Sequence, residues 1–493
     1  MRLDILLKGV EGARIEGDAA VEIGGIVCDS RQAEPGSLFV ALRGGEEEDR
    51  HSYVPDAVGR GAAAVVVEDA VETDAAVVRV PRVRPALAEL AARFYGKPGE
   101  ALKLVGVTGT NGKTTTACLV RGVLEAGGMP CGYIGTLGRV LGDEMVKGDN
   151  TTPEAHHLHR DLRAMVDAGR SAAVLEVSSH ALALGRVGGL EFAAGLFTNL
   201  SRDHLDFHQS EEAYFAAKAA LFRQLGDDGR GAFNIDDKAG RRLWEEHRER
   251  GLSYGFDDRA DIRPLDWSAG RGGVRMRLAV PEGEMAVGSR LTGRFNCHNV
   301  MAAVACGWVL GVEPEAIQCG VEAVENVPGR FERVAPDADI EVIVDYAHTP
   351  DALENALRAA RPLAVGRLIC LFGCGGDRDK GKRAQMGAVA SRLADRVVLT
   401  SDNPRSEDPE AILDDIAVGL AQGEGYIRLA DRREAIAAAI DEAAPGDVVL
   451  LAGKGHETEQ VFADQTVRFD DREEAALVLQ GLGKAPRAGA GGD

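Results

Sequence analysis

Residues 106–116 read GVTGTNGKTTT, a glycine-rich run that continues into a lysine and a series of hydroxyl side chains. Glycines let backbone N–H groups approach phosphate oxygens closely, and a following helix N-terminus favours their negative charge. In such a loop Lys113 would reach the terminal phosphates of a nucleotide, and Thr114 would hold Mg²⁺. The strict P-loop pattern requires glycine where this chain has Val107, so the match is to the variant TGTNGKTT. The alternative is a glycine-rich turn that binds no nucleotide.

The predicted phosphate loop lies between two regular elements. LVGVTG, beginning at Leu104, has the apolar run of a buried strand, and TTTACLVRGVLEAGG has the spacing of a helix that glycine stops. A strand, a loop and a helix in this order put phosphate oxygens at the helix N-terminus. The predicted nucleotide-binding residues of the loop are Gly109, Thr110, Asn111, Gly112, Lys113, Thr114 and Thr115.

Two further side chains could lie beside this loop. Glu176 closes one strand-like run and His204 follows another, and the carboxyl ends of parallel strands meet at one edge of a sheet. A carboxylate is a preferred ligand of Mg²⁺, whereas histidine is less usual for a hard cation. Either residue could instead be an ordinary hydrogen-bonded core or loop residue. Together with the loop, they are predicted to be metal ligands.

The segment AYFAAKAALF, residues 213–222, puts a lysine into an apolar helical stripe. Tyr214, Lys218 and Leu221 fall on one face at helical spacing. Burying an ammonium group is costly unless it is paired or neutralised. One interpretation is that the Lys218 stem packs while its head reaches water. The other is that a partner or a chemical change compensates the buried charge.

Amide and guanidinium side chains mark two more candidate positions. Asn296 and Asn299 lie in a strand-to-helix context and could read the edge of an adenine base, although asparagine is as often a cap or turn residue. Arg405 follows Asn-Pro in a turn after the run RVVLT. A rigid backbone at this point suits a bidentate clamp on a carboxylate. The alternative is an exposed turn arginine.

Three regions of the chain differ in pattern, and we expect one domain in each: residues 1–97, 98–328 and 329–493. The first has short strand-like runs around a helical stretch. The second alternates buried apolar runs with amphipathic helices, which is typical of a doubly wound sheet. The third restarts with four predicted strands, IEVIVDYAH, RLICLFGCGG, RVVLTSDNP and DVVLLAGKG. The predicted fold class is α/β with three domains: a small N-terminal α/β domain, a central P-loop-type doubly wound α/β ATPase domain and a C-terminal Rossmann-like α/β domain.

The composition is that of a globular protein with an acidic balance. Its 57 Lys and Arg against 78 Asp and Glu give a formal net charge of −21, so no nucleic acid partner is expected. The eight cysteines are scattered without a CxxC pair, which predicts reduced thiols and a cytoplasmic location. No apolar run approaches about 18 residues, so membrane insertion is not expected. The tail KAPRAGAGGD is predicted to be disordered.

TGTNGKTTT resembles the ATP loop of the Mur ligase family, the cytoplasmic enzymes that build the peptide stem of peptidoglycan. Folate-polyglutamate ligases have a similar loop, so the loop alone leaves the substrate open. Further segments resemble the same family in order and cover most of the chain. They are DNTTPE, EVSSHAL, TNLSRDHLDFH, GRFNCHN, PGRFE, DYAHTP and GCGGDRDKGKR.

The resemblance implies which residues act on ATP and the metal. Asn296 and Asn299 match positions that contact the nucleotide, as do Arg330 and Asp345, and an arginine reaching a phosphoryl group would require domain closure. The lysine that matches Lys218 is carbamylated by CO₂ in the family, with Mg²⁺ as its partner. The implied catalytic residues are Lys113, Lys218, Arg330 and Asp345. The implied metal ligands are Thr114, Glu176, His204 and Lys218 as carbamate, and the implied cofactors are ATP, Mg²⁺ and the CO₂-derived carbamate.

Six residues match positions that hold the UDP-linked substrate in the family, from the uracil end to the muramoyl-dipeptide. They are Ser30, Asn150, Thr151, Thr152, Ser178 and Arg186. The chain departs from the family pattern in two places. Leu184 stands where a glutamine is expected, and GGEEEDRH at residues 44–51 replaces a DGH-like run. These departures concern individual contacts and leave the substrate class unchanged.

The segment DNPR, residues 402–405, resembles the signature of family members that add meso-diaminopimelate, whereas lysine-adding relatives carry a different residue after the proline. Diaminopimelate has an additional carboxylate that Arg405 could bind, and Glu457 could bind its distal ammonium group. The implied amino-acid-binding residues are Arg378, Asp402, Asn403, Pro404, Arg405, Gly453 and Glu457.

The resemblance therefore implies an ATP-dependent amide ligase of cytoplasmic peptidoglycan precursor synthesis. It would add meso-diaminopimelate to the D-glutamate of UDP-N-acetylmuramoyl-L-alanyl-D-glutamate through an acyl phosphate, and the chain is expected to act as a monomer. The nearest alternative is the lysine-adding ligase of the same family. Alternatives of other classes are a nucleotide-dependent binding or switch protein and a plain P-loop kinase.

Overall fold

Strands and helices alternate along the chain in the computed structural model, which describes residues 1–43, 49–148, 150–201, 203–335, 338–420 and 425–482. The described chain divides into two compact units. Unit 1 comprises residues 1–254 and 302–317, and unit 2 comprises residues 255–301 and 318–493. The predicted tail KAPRAGAGGD and residues 44–48 of the departing segment lie outside the described residues.

Unit 1 begins with a small sheet in the order β1-β5-β4-β3-β2, in which β1 pairs antiparallel with β5 and the other pairs are parallel. One of the short strand-like runs expected in this region, AAAVVVE, contains the fully buried strand β4. The strands are β1 (Arg14–Glu16), β2 (Gly25–Val27), β3 (Ser37–Val40), β4 (Ala64–Val67) and β5 (Ala76–Arg79). The helices are α1 (Leu3–Leu6), α2 (Val54–Gly59) and α3 (Val83–Phe94).

The second sheet of unit 1 has the order β13-β12-β11-β6-β10-β7-β8-β9. Its central pairs are parallel and its strands there are apolar throughout because both faces are covered. The strands are β6 (Lys103–Thr108), β7 (Cys131–Gly135), β8 (Gly138–Val140), β9 (Met145–Val146), β10 (Ala172–Glu176), β11 (Phe192–Phe197), β12 (Leu225–Asn234) and β13 (Gly251–Tyr254). The helices are α4 (Lys113–Ala126), α5 (Ala155–Asp167), α6 (Ser179–Ala183), α7 (Leu205–His208), α8 (Glu211–Ala219) and α9 (Lys238–Glu246).

Unit 2 begins with an antiparallel sheet that the sequence analysis did not predict. Its strands, in the order β14-β15-β16, are β14 (Arg263–Gly270), β15 (Gly273–Val280) and β16 (Gly283–Ser289). Helices α10 (Phe295–Val309) and α11 (Pro314–Glu322) follow and contribute residues to both units. Charged residues alternate with apolar ones along β15, the pattern of a strand with one exposed face.

The larger sheet of unit 2 has the order β17-β18-β22-β19-β20-β21. The four predicted strands form its parallel centre, but the prediction was incomplete, because β17 adds an antiparallel edge and β21 a short parallel one. The strands are β17 (Glu332–Val334), β18 (Glu341–Asp345), β19 (Leu368–Phe372), β20 (Arg396–Leu399), β21 (Ile427–Arg428) and β22 (Val448–Ala452), and the hairpin β23 (Glu459–Val461) with β24 (Thr466–Arg468) follows. The helices are α12 (Pro350–Ala360), α13 (Gly381–Leu393), α14 (Pro409–Ala417), α15 (Arg432–Glu442) and α16 (Asp471–Gly481).

This architecture confirms the predicted α/β fold class, with parallel sheets that carry helices on their faces. The boundaries of the three predicted domains remain a prediction. All eight cysteines lie among the described residues and are free thiols. In the described part of the chain, no helix has both the length and the apolar character needed to cross a membrane.

Candidate active site

The loop between β6 and α4 has the backbone that phosphate binding requires. Gly109 adopts a φ of +150° and Gly112 a φ of +84°, values that side chains rarely tolerate. A Cβ at position 109 would lie 1.9 Å from Thr198 Oγ1, so only glycine fits. Lys113 Nζ donates to the carbonyl oxygens of Gly109 at 3.0 Å and Thr110 at 2.9 Å, which holds the ammonium over the loop.

Residues 198–201, which follow β11, support the phosphate loop through hydrogen bonds. Asn199 Oδ1 accepts from the Asn111 backbone N–H at 2.9 Å, and Asn199 Nδ2 donates to the Asn111 carbonyl at 3.0 Å. The Thr110 hydroxyl donates to the Ser201 carbonyl at 3.3 Å. The loop conformation therefore depends on residues about ninety positions later in the chain.

Glu176 lies directly beside the loop, at the end of β10. Its Oε2 accepts from the Thr114 hydroxyl at 2.9 Å and from the Thr136 hydroxyl at 3.0 Å, and its Oε1 accepts from the Thr136 backbone N–H at 2.9 Å. The Tyr133 hydroxyl also donates to Oε1. Glu176 is fully buried, and burial together with this carboxylate raises the pKa of Tyr133 well above its usual range. The structure thus brings two predicted metal ligands, Thr114 and Glu176, into contact.

Lys218 is buried at the end of α8, with 1% of its surface exposed. Its Nζ donates to the Gly109 carbonyl at 2.8 Å and lies 4.5 Å from the centre of the Tyr214 ring. The head of this lysine does not reach water, so the snorkelling interpretation is wrong. Burial, reinforced by the Lys113 charge, holds the pKa of Lys218 well below its usual range. Burial thus shifts this amine toward its neutral form.

His204 lies in the same region, in a left-handed conformation with φ of +52°. Its ring is 4.7 Å from the His180 ring, and its Nε2 is 3.4 Å from Asp203 Oδ2. Burial lowers the pKa of His204; Asp203 opposes this shift, and Lys113 and Lys218 reinforce it. A neutral imidazole is the form that binds metals.

The donor set can be compared with what Mg²⁺ requires. A threonine hydroxyl and a buried carboxylate are oxygen ligands of the kind that this cation prefers, so Thr114 and Glu176 fit it. Lys218 as an amine does not fit, because a hard cation binds oxygen. Over the described residue ranges, no group of three or more His, Cys, Asp and Glu side chains is placed to hold a metal ion.

Three of the residues predicted for the UDP-linked substrate contact one another. Thr152 Oγ1 accepts from the Ser178 backbone N–H at 3.1 Å, and the Thr152 carbonyl accepts from Arg186 Nη1 at 3.0 Å. Arg186 Nε lies 3.0 Å from Glu154 Oε1, and Glu154 Oε2 lies 3.4 Å from Arg84 Nη1. Glu154 therefore links α3, beside the first sheet, to the loop between α6 and β11, beside the second.

The other residues of that predicted set lie elsewhere in unit 1. The Thr151 hydroxyl is 3.2 Å from the Thr136 hydroxyl, which connects it to the Glu176 network. Ser30 is buried after β2, where its hydroxyl bonds to Asp56 and lowers the pKa of that carboxyl. Asn150 is exposed. The set is thus distributed over the first sheet and the rim of the second.

Asn296 and Asn299 are buried at the beginning of α10. Asn296 Nδ2 donates to the Thr292 carbonyl at 2.7 Å, and Asn296 Oδ1 accepts from Asn299 Nδ2 at 2.8 Å. These contacts connect the first turn of α10 to the residues that precede it, and in both of them an amide nitrogen donates, whereas a helix cap accepts from a backbone N–H. Adenine recognition by the two amides stays a prediction.

Arg330 and Asp345 are adjacent in unit 2. The Arg330 guanidinium lies 4.7 Å from the centre of the Tyr346 ring, and Asp345 Oδ2 accepts from the Phe331 backbone N–H at 2.7 Å. Burial raises the pKa of Asp345 to about 6, although the Arg330 charge and the hydrogen bond oppose this shift. The Asp345 carbonyl accepts from the Gly453 N–H at 3.1 Å, which connects this pair to the predicted amino-acid site.

The segment Asp402–Arg405 follows β20 and has a constrained backbone. Arg405 adopts a φ of +52°, its N–H donates to the Val461 carbonyl at 3.0 Å, and its Nη1 donates to the Gly376 carbonyl at 2.7 Å. Strained backbone in a non-glycine residue persists only where the surroundings impose it, and it is frequent at functional sites. Arg378 is exposed on the same glycine-rich loop as Gly376.

The predicted amino-acid site also includes the loop after β22. Gly453 has a φ of +112°, and a Cβ there would lie 2.6 Å from Asp402 Oδ2. Glu457 Oε2 accepts from Asn403 Nδ2 at 2.8 Å and from Lys454 Nζ at 3.2 Å, and Glu457 Oε1 accepts from the Tyr346 hydroxyl at 3.3 Å. The structure therefore brings the predicted residues of two separate loops together.

Several residues of these networks were not predicted as site residues. Glu154, Tyr346 and Lys454 lie within segments that the sequence analysis quoted or adjoined, so their positions were a usable signal. Tyr133 and Thr136, which bond to Glu176, lie in YIGTLG. The polar residues of that segment are spaced as in an ordinary strand and turn, so Tyr133 and Thr136 could be identified only from the fold.

Three family models match this chain. The model of the "Mur ligase family, catalytic domain" matches residues 22–95, that of the "Mur ligase middle domain" matches residues 107–307, and that of the "Mur ligase, glutamate ligase domain" matches residues 329–455. The matches follow one another without overlap, which confirms the resemblance found from the motifs.

Relatives that span nearly the whole chain carry one name. UDP-N-acetylmuramoyl-L-alanyl-D-glutamate--2,6-diaminopimelate ligase of Geobacter metallireducens is 44% identical and covers 98% of this chain and 99% of its own. The protein of the same name from Thermosynechococcus vestitus is 47% identical, and the match covers 94% of this chain and 95% of that protein. A solved structure of a protein with this name superposes with a TM-score of 0.69 at 32% identity, and the match covers 98% of this chain and 99% of the solved one. With identity at this level over nearly the entire length, the chain belongs to the Mur ligase family.

Proposed function

We propose that the protein is an ATP-dependent ligase that adds meso-diaminopimelate to the D-glutamate of UDP-N-acetylmuramoyl-L-alanyl-D-glutamate, a step of peptidoglycan precursor synthesis in the cytoplasm. The observation that carries the amino-acid assignment is the strained turn at Arg405, whose neighbour Asn403 donates a hydrogen bond to Glu457 on the loop after β22. Together Arg405 and Glu457 offer one cationic and one anionic group to an amino acid with charges of both signs at its distal end. The names of the relatives support the same substrates.

In the first step, the γ-carboxylate of D-glutamate attacks the γ-phosphate of ATP, which gives an acyl phosphate and ADP. The loop at Gly109–Thr115 would hold the phosphates with its backbone N–H groups, and Lys113 and Arg330 would neutralise charge on the transferred group. Thr114 and Glu176 would hold Mg²⁺, which supplies charge neutralisation at the phosphate oxygens. The protein's contribution is to position the reactants, so no nucleophilic side chain is required.

We propose that Lys218 carries a CO₂-derived carbamate that serves as a metal ligand together with His204. The buried, neutral-favoured amine supports this, because CO₂ reacts with the free base and not with the ammonium. A carbamate would also replace a poor ligand for a hard cation with an oxygen ligand.

In the second step, an amine of diaminopimelate attacks the acyl phosphate carbonyl, forms the amide and releases phosphate. Arg405, with Arg378 nearby on the glycine-rich loop, would bind the additional carboxylate of the amino acid, and Glu457 would bind its distal ammonium. Asp402, Asn403, Pro404 and Gly453 would form the backbone and rim of this site. Asn296 and Asn299 would lie near the adenine, and Asp345 would orient Arg330.

The UDP-linked substrate would be held by Ser30, Asn150, Thr151, Thr152, Ser178 and Arg186. The contacts among Thr152, Ser178 and Arg186 support a common role for these three. The same proposal includes a domain at residues 1–97 for the UDP end, a domain at residues 98–328 for ATP and a domain at residues 329–493 for the amino acid. We also propose that the protein acts as a monomer.

The test is ADP release with ATP and UDP-N-acetylmuramoyl-L-alanyl-D-glutamate, comparing meso-diaminopimelate with lysine and identifying the amide by mass spectrometry. We expect amide formation with diaminopimelate and little with lysine. Equal rates, or lysine activity that survives Arg405→Ala, would favour the lysine-adding ligase instead. ATP binding without phosphate release, when the UDP-linked dipeptide and the amino acid are both present, would indicate a switch protein. Phosphate transfer without amide formation would indicate a kinase.

A further inference from the structure

Lys454, in the loop after β22, is buried with 0% of its surface exposed. Its Nζ donates to Asn403 Oδ1 at 3.1 Å, to Glu457 Oε2 at 3.2 Å and to the Glu459 carbonyl at 2.6 Å. An ammonium group has three donors, so these acceptors use all of them. The lysine is therefore a satisfied internal cation with no donor left for a substrate.

The contacts of Lys454 orient the amide of Asn403. Asn403 Oδ1 accepts from Lys454 and from the Val461 backbone N–H at 3.0 Å, while Nδ2 donates to Glu457 Oε2 at 2.8 Å. Two donors on one side and a carboxylate on the other favour a single orientation of the amide. Asn403 is part of the DNPR segment, so the lysine acts on the loop that also carries Arg405.

The same lysine lies on the buried side of Glu457. The Glu457 side chain is 31% exposed, whereas that of Lys454 is 0% exposed. The described contacts of the carboxylate are Asn403 and Lys454 on Oε2 and the Tyr346 hydroxyl on Oε1. A carboxylate has about four acceptor positions, so this arrangement leaves room for an external cation on the exposed side.

We infer that Lys454 is a positioning residue for amino-acid recognition, which orients the Glu457 carboxylate and the Asn403 amide without touching the substrate. The inference rests on the proposed function, because it takes Glu457 as the group that binds the distal ammonium. Without Lys454, Glu457 Oε2 and the buried Asn403 Oδ1 each lose a charged donor, and both side chains are held by fewer contacts.

The test replaces Lys454 by methionine, which keeps the length of the stem and removes the charge. Steady-state kinetics then give kcat and the KM values for diaminopimelate, ATP and the UDP-dipeptide. We expect the KM for diaminopimelate to rise at least about tenfold, since charged hydrogen bonds are lost, with the KM for ATP within about twofold of wild type. Lys238→Met, which removes an exposed lysine in unit 1, is the matched control and leaves all values unchanged.

A double-mutant comparison separates positioning from general support of the fold. If Lys454 acts through the carboxylate, Lys454→Met changes the KM for diaminopimelate by less than about threefold in a Glu457→Gln background. Independent effects that multiply, or a loss of kcat with every KM unchanged, would overturn the inference. If Lys454→Met does not fold, Lys454→Gln carries the same comparison, and failure of both variants to fold would show a purely structural lysine.

Measurements on the wild-type protein separate a failure of this inference from a failure of the proposed function on which it rests. If the wild type forms no amide with diaminopimelate, the proposed function fails before any variant is compared. If it does form the amide and Lys454→Met retains the wild-type KM for diaminopimelate, only the positioning role fails.

Discussion

The Thr114 hydroxyl donates to Glu176 Oε2 over 2.9 Å, although the two residues are 62 positions apart in the chain. This contact joins the first turn of α4 to the end of β10, two elements that meet because β10 lies beside β6 in the sheet. It places a hydroxyl and a carboxylate at the N-terminus of the helix that follows the phosphate loop, where a nucleotide-bound cation would be held.

We predict that Glu176→Gln raises the Mg²⁺ concentration needed for half-maximal activity at least about tenfold, because an amide keeps the shape of the side chain but loses the charge of the ligand. A Mg²⁺ titration of ADP release measures this. Glu191→Gln, which changes an exposed carboxylate before β11, is the control and leaves the titration unchanged. An unaltered Mg²⁺ requirement in Glu176→Gln would contradict the assignment.

The phosphate loop predicts a strict requirement at Gly109. An added Cβ meets Thr198 Oγ1 at 1.9 Å, and the φ of +150° is strained for alanine. Strain of this kind costs about 1–3 kcal/mol, so we expect Gly109→Ala to weaken ADP binding at least about tenfold in calorimetry. In Gly270→Ala the new methyl group meets no atom within 4 Å, and ADP binding stays at the wild-type level. Tight ADP binding by Gly109→Ala would show that the loop does not contact the phosphates.

The carbamate on Lys218 predicts a chemical signal as well as a loss of activity. Protein equilibrated with ¹³C-bicarbonate gives a carbamate resonance that disappears in Lys218→Ala, because only the buried neutral amine retains CO₂. The same variant loses activity and recovers part of it with formate or acetate, which can occupy the vacated position. Lys238→Ala keeps both the resonance and the activity. Full activity in unrescued Lys218→Ala would end the proposal.

Asp345 predicts a defined pH dependence of stability. Its pKa is raised from 3.8 to about 6 in the folded protein, so the folded state holds this proton more tightly than the unfolded state does. The stabilisation is fully present below pH 3.8 and is lost as the pH rises through about 6. Asparagine resembles the protonated form, so Asp345→Asn should gain about 3 kcal/mol relative to wild type between these limits. Denaturant unfolding at several pH values measures the difference, and a difference that is independent of pH would contradict the shift.

Arg432 and Asp471 predict a large effect on stability. Arg432 Nε and Nη2 donate to the two oxygens of Asp471 at 2.7 and 2.6 Å, both side chains are fully buried, and Nη2 also donates to the Ala452 carbonyl at 3.0 Å. Arg432→Met leaves a buried charge unpaired, which costs about 3–5 kcal/mol, and adding Asp471→Leu should recover part of it. Arg433→Met removes an exposed arginine that pairs with the partly buried Glu474 and should cost about 1 kcal/mol, well below the cost of Arg432→Met. Thermal unfolding compares the three, and similar midpoints for Arg432→Met and Arg433→Met would contradict the argument.

Much of the fold was predictable because its signals are local. The apolar runs that became β6, β10, β11, β18, β19, β20 and β22 are continuous in the chain, and a strand buried on both faces must be apolar throughout. The antiparallel sheet at residues 263–289 was missed, because alternating charged and apolar residues in short runs are easily taken for loop sequence. Edge strands such as β21 contain too few residues to give a pattern.

Much of the site chemistry was also predictable from the sequence, because the residues that provide it are adjacent in the chain. The loop TGTNGKTT and the segment DNPR each combine backbone restriction and charge within a few residues, so their types and order predict what they can bind. Only the folded structure shows which group each polar atom contacts. Periodicity predicts that Lys218 faces the core, but not that its Nζ ends on the Gly109 carbonyl. The partners of Glu176 and Glu457 come from strands and loops that are distant in sequence, so they follow from the order of strands in a sheet, which side-chain patterns along a single strand do not contain.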